Sequence, residues 1–80
     1  KGQAYAGWEK AMLDAFQDQV QRVQHGEPTL IDPYGATSHQ EFFAEAIVTF
    51  FERPRAMRDQ MPALYEQLAT LLALDPAHWD

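Results

Sequence analysis

The sequence predicts an all-α fold with three main helices. Apolar residues recur at helical steps of three, four and seven in three separate stretches. Residues that start or stop helices bound each stretch, namely Gly26 and Pro28, Ser38, Pro54, Pro62 and Pro76. The intervening chemistry is that of turns.

In the first stretch Tyr5, Trp8, Met12, Ala15, Phe16 and Val23 form one stripe, with Glu9, Lys10, Asp14, Asp18, Gln21 and Arg22 mostly off it. This stripe reads as the core-facing side of a helix. Gly26 suits the left-handed residue just past its end, and Pro28 stops it from resuming. Residues 27–37 read as a loop, extended at Thr29-Leu30-Ile31. Asp32-Pro33-Tyr34-Gly35 carries Asp, Pro and Gly where a type I turn favours them, which would hold Tyr34 in place ahead of the next helix. Tyr34 reads equally as a plain anchor for that loop. Ser38-x-x-Glu41 is a capping box, so the second helix opens there and runs to Glu52 or Arg53, before Pro54. Residues 55–60 can add a short helical turn. Pro62 suits the first turn of the third main helix, whose apolar face is Met61, Leu64, Tyr65, Leu68, Leu71 and Leu72. Asp75-Pro76 is expected to end it, and residues 77–80 carry no assignment.

The chain has 80 residues, 46% hydrophobic, with no cysteine and a net charge of −6. That length allows one small domain, and chains of this size bury only ~60% of their unfolded surface, which makes for a marginal core. Without cysteine there is no disulfide staple and no cysteine-based zinc finger. Twelve acids against six bases argue against nucleic-acid binding. No apolar run approaches the ~18 residues of a membrane span, and no signal peptide is visible. The chain begins at Lys1 rather than Met, so it is expected to be a piece of something longer.

The second helix is unusual. Glu41, Glu45, Val48 and Glu52 fall within a band about 60° wide, whereas Phe42, Phe43, Ala44, Ala46, Ile47, Phe50 and Phe51 spread over roughly 200°. An ordinary surface helix has an apolar stripe only a little over ~100° wide, so this arc predicts contact with more protein than the other helices here provide. Like charges one turn apart cost ~0.2–0.5 kcal/mol per pair, partly offset near a helix N-terminus. Three readings of the acidic row stand together: a solvated face, pairing with Arg53, Arg55, Arg58 or basic groups elsewhere, or a metal or catalytic site. His25, His39 and His78 are too far apart for a local metal motif, and His39 lies ~160° around the helix from Glu41.

The stretch Asp32-Pro33-Tyr34-Gly35-Ala36-Thr37-Ser38-His39-Gln40-Glu41-Phe42-Phe43-Ala44-Glu45, continuing to Pro54, resembles the Mlc titration factor A family of zinc-dependent peptidases. More distantly it is similar to the catalytic domain of anthrax lethal factor. A Trp-bearing helix before the segment, Pro62-x-Leu64-Tyr65-x-x-Leu68 after it and the terminal Asp75-Pro76 extend the likeness over nearly the whole chain. Ser38 stands where Asn is often expected, an exchange between two good N-cap residues.

The resemblance implies that residues 1–80 are a single C-terminal helical subdomain of a cytoplasmic, zincin-like (gluzincin) metallopeptidase. Glu41 would be its third zinc ligand, Glu45 a carboxylate orienting a ligand histidine, and Tyr34 a donor to the tetrahedral intermediate. The two histidine ligands and the general base belong to an H-E-x-x-H helix, which this sequence lacks. The chain alone is therefore expected to bind no zinc tightly and hydrolyse nothing. Its implied partners are the H-E-x-x-H part of the same parent, a peptide substrate, in some members a transcriptional repressor, and further copies through exposed apolar surface. Aminopeptidase action on short peptides is part of the likeness. The competing expectation is a non-enzymatic helical interaction module that docks through the Phe-rich face.

Overall fold

The computed structural model describes residues 2–79, and their side chains from residue 6 onward; the place of Tyr5 on the first stripe lies outside the described residues. Four α-helices follow one another: α1 (Gly2–Gln24), α2 (His39–Glu52), α3 (Pro54–Gln60) and α4 (Pro62–Leu72). Two 3-10 turns join them, Pro33–Ala36 ahead of α2 and Pro76–His78 after α4. Among the described residues there is no strand, and Thr29 to Ile31 is irregular loop. The fold is thus all-α, and the short α3 occupies the expected extra helical turn.

The helix ends follow from local chemistry. Ser38, in extended conformation, caps α2 by accepting the Glu41 N–H at 3.1 Å. The return bond from the Glu41 carboxylate is not made, so only half of the expected capping box forms. Arg53 and Met61 share nearly the same backbone geometry, φ near −135° and ψ near 60°, because each precedes a proline that excludes continued α conformation. Gly26, at φ 69°, closes α1 while the Glu27 N–H reaches back to Arg22 O at 2.8 Å. The same Schellman closure ends α4, with Ala73 at φ 56° and the Leu74 N–H on Ala69 O at 3.0 Å. This helix therefore stops at Leu72, three residues before the expected Asp75 boundary, and Ala73 bears the Cβ strain that glycine would avoid.

The core consists of Ile31, Phe42, Ala46, Phe50, Met57, Leu64, Tyr65, Leu68 and Ala77, with Trp8, Met12, Ala15 and Phe16 of α1 against it. Leu71, expected on the core face of α4, is 55% exposed; the face is narrower and consists of Leu64, Tyr65 and Leu68, with Leu72 half-buried. The Cα extents of 34 × 33 × 18 Å describe a plate about two helix diameters thick. A plate cannot cover α2 on every side. Phe42 and Phe50 are fully buried and Phe43 meets Trp8 edge-on at 5.8 Å, while Phe51 at the end of the apolar arc and Val48 in the neighbouring acidic band stay exposed.

Candidate metal-ligating face and tyrosine turn

The turn that carries Tyr34 is built from backbone and short side chains. Asp32 O accepts the Gly35 N–H at 2.8 Å, the bond expected of the type I turn. The Asp32 carboxylate accepts the Tyr34 N–H at 2.8 Å, and Tyr34 O receives both the Thr37 N–H at 3.2 Å and the Thr37 hydroxyl at 2.8 Å. These bonds extend the turn into the 3-10 element Pro33–Ala36.

Gly35 sets this turn directly on α2. It is buried, and a Cβ added there would lie 3.3 Å from the Phe42 Cα and 3.3 Å from Ile31 Cγ2. Any side chain would press on helix backbone. Glycine thus has a second purpose here beyond its turn position, and the sequence neighbours of this contact pair, Tyr34 and Glu41, are carried by elements in direct contact. Tyr34 itself is 55% exposed and makes no side-chain hydrogen bond among the described residues.

Glu41 and Glu45 are half-buried, one turn apart on α2, while Glu52 is exposed. Among the described residues none of the three carboxylates forms an ion pair or a hydrogen bond. Of the three readings of this row, pairing with arginine is not seen among the described residues. Arg55 instead donates to Ala77 O and Trp79 O, each at 3.1 Å, and Arg58 lies 3.8 Å from Asp59. The Thr49 hydroxyl bonds to the Glu45 backbone carbonyl at 2.9 Å, which leaves the Glu45 carboxylate free.

The histidines are dispersed, as their spacing predicts. His25 Nδ1 lies 2.7 Å from Gln21 O, the His39 ring packs edge-on to Phe16 at 4.3 Å, and His78 Nδ1 lies 2.6 Å from Asp75. Among the described residues no three His, Asp or Glu side chains are grouped closely enough to hold a metal ion. Glu41 and Glu45 can supply one ligand and its neighbour, but not a complete tetrahedral set.

Two polar features went unread in the sequence. Gln19 is 3% exposed, and its Nε2 donates to Ile31 O at 2.9 Å and Asp32 O at 3.0 Å. Its spacing was the available signal, since it stands three and four residues from Phe16, Ala15 and Val23, on the apolar stripe. The second is a cluster across α4 and the tail. The Tyr65 hydroxyl donates to Asp75, accepts the Ala77 N–H at 3.0 Å, and Asp75 also holds His78. Burial, then the Asp75 bond, pushes the Tyr65 phenol above its ordinary value; the Tyr65 bond, then His78, holds the Asp75 carboxyl below its own.

The chain matches known proteins over most of its length. The family described as glucose-regulated metallo-peptidase M90 matches residues 1–72. An uncharacterized protein of Synechocystis sp. is 35% identical over 72 residues, covering 90% of this chain. The chain spans about a quarter (26%) of the length of that relative. No solved structure matches. No described helix is long and apolar enough to cross a membrane. With a family match over residues 1–72, the chain belongs to the glucose-regulated metallo-peptidase family M90, the Mlc titration factor A family that its motifs resemble.

Proposed function

We propose that this chain is the C-terminal helical part of a cytoplasmic zinc-dependent peptidase, in which Glu41 is the third zinc ligand, Glu45 orients a ligand histidine and Tyr34 assists hydrolysis. The observation that carries the reading is the pair of half-buried carboxylates, Glu41 and Glu45, left without partners on one face of α2. Neither carboxylate has an oxygen sealed from solvent, so a cation or donor arriving from elsewhere can reach both. The donor chemistry fits zinc, which takes carboxylate oxygen readily, and the remaining ligands would come from the H-E-x-x-H part of the parent. The zincin-like fold of that parent, and its distant likeness to the anthrax lethal factor catalytic domain, belong to the same proposal.

Bound zinc would lower the pKa of a coordinated water and polarise the scissile carbonyl. The chain's own residues do the rest of the positioning. The Ser38 cap engages the Glu41 backbone N–H and not its carboxylate, so the side chain is held at the first turn with its oxygens free to ligate. Glu45, one turn on, accepts the N–H of a ligand imidazole and fixes its tautomer. The Tyr34 hydroxyl donates to the oxyanion that develops on the peptide carbonyl, and its exposure leaves it accessible to substrate. Short peptides cleaved from their amino end are the proposed substrates.

In the full-length protein, Glu41→Ala is expected to abolish zinc-dependent peptide hydrolysis and remove stoichiometric zinc while leaving the circular dichroism spectrum unchanged. Full activity with full zinc content in that variant would sink the assignment. A second reading draws on the exposed Val48, Phe51 and Trp79 as a docking face of a non-enzymatic module, for example for a transcriptional repressor. A parent reading frame without H-E-x-x-H ahead of Lys1 would favour this second reading and remove the first.

A further inference from the structure

We infer that Gln19 is the positioning residue for Tyr34: from α1 it fixes the start of the turn that aims the phenol. The inference rests on the proposed role of Tyr34. Tyr34 touches too little to orient itself, being 55% exposed, so its direction has to come from the backbone beneath it. That backbone begins at Ile31 and Asp32, and one buried amide nitrogen holds both of their carbonyls, at 2.9 and 3.0 Å.

The connection onward is direct. Asp32 O, which accepts Gln19 Nε2 on one side, accepts the Gly35 N–H on the other at 2.8 Å. The two bonds share one oxygen and lock one peptide plane between α1 and the turn. Ile31 O is likewise shared, between Gln19 and the Thr29 hydroxyl at 2.6 Å. Rotation of either peptide would strand the Gln19 amide, which is 3% exposed and has little access to replacement water. An apolar residue would suit the rest of the stripe at this position better than glutamine does. The amide is explained by what it holds.

The test uses the full-length protein. Gln19→Met keeps the side-chain length and removes the donor. Deuterium exchange across residues 30–37 is expected to speed up in this variant, with α4 unchanged. The kcat for peptide hydrolysis is expected to fall about tenfold with KM within about twofold, the signature of a misplaced rather than a lost contact. In a Tyr34→Phe background the same substitution should cause no further loss. Gln19→Glu has the same shape but donates only when protonated, so its deficit against the native protein should shrink as pH is lowered while that of Gln19→Met stays constant.

Unchanged exchange across residues 30–37 overturns the inference, and so does a kcat loss that persists undiminished in the Tyr34→Phe background. If Tyr34→Phe alone leaves kcat intact, the role of Tyr34 falls, and the exchange measurement still decides whether Gln19 holds the turn. Should Gln19→Met fail to fold, Thr29→Val takes its place, removing one of two donors to Ile31 O. It should reproduce the faster exchange and the dependence on Tyr34 at smaller amplitude, and the absence of both would overturn the inference.

Discussion

Tyr34 and Tyr65 both lie against α2, one on the turn packed at its first residues and the other 5.1 Å from Phe50 near its end. Tyr65 meets the Asp75 carboxylate, and Tyr34 sits on a turn in contact with the helix that carries Glu41 and Glu45. Tyr65 is 4% exposed, its oxygen donates to Asp75 and accepts from Ala77, and Asp75 in turn holds His78. Tyr34 is exposed, its hydroxyl is free among the described residues, and Glu41 and Glu45 are unpaired. The same two kinds of side chain thus fill opposite roles. Where the groups satisfy one another they hold the tail onto α4, and where they do not they remain available to a ligand.

This contrast can be broken by experiment. Tyr65→Phe should cost about 1–3 kcal/mol in chemical denaturation, because the Ala77 N–H and Asp75 both lose a partner. Tyr34→Phe should stay within about 0.5 kcal/mol by the same measurement, as surface changes away from packed features do. Equal losses would erase the distinction. Gly35→Ala should cost about 1–2 kcal/mol by overpacking against the Phe42 backbone and should also displace the tyrosine turn, seen as faster amide exchange there.

The cluster of Tyr65 and Asp75 should also make stability respond to pH. The folded-state value of Asp75 lies below its ordinary 3.8, so the stability it contributes is present above that pH and is lost as pH falls through the lower folded value. Tyr65 is shifted upward from 10.0, so its contribution is complete below that pH and disappears as pH rises through the higher folded value. Asp75→Asn should flatten the acid limb of a melting-temperature profile. One change is expected to be a gain: Ala73→Gly relieves a left-handed alanine and should add about 0.5–1 kcal/mol, read as a higher denaturation midpoint.

Much of the scaffold was legible because punctuation residues act locally. Ser38, Pro54, Pro62 and Gly26 mark helix ends through chemistry confined to a few neighbouring residues, and the structure places those ends accordingly. The end of α4 was not legible, since Ala73 carries no signal for a left-handed conformation and Asp75-Pro76 offered a more obvious stop. Leu71 was misplaced because periodicity gives the direction of an apolar face and not its width. In the candidate site, the candidates Glu41, Glu45 and Tyr34 came from motif likeness. Their supports, Gln19 and the close approach of Gly35 to Phe42, depend on which elements meet in space, and the spacing of Gln19 was only a hint. The cluster of Tyr65, Asp75 and His78 needed the tail to fold back, which no local rule specifies.

The contact between Gly35 and Phe42 also bears on the order in which the molecule assembles. It joins positions seven apart, whereas the Gln19 bond to Ile31 spans 12 residues and the Arg55 bond to Trp79 spans 24. Short closures forfeit less chain entropy and form sooner. The tyrosine turn and the first turn of α2 can therefore dock as one early unit, with α1 clamping it afterwards and Arg55 reaching Trp79 later still. The geometry beside Glu41 would then be set during folding, before the rest of the plate exists to correct it.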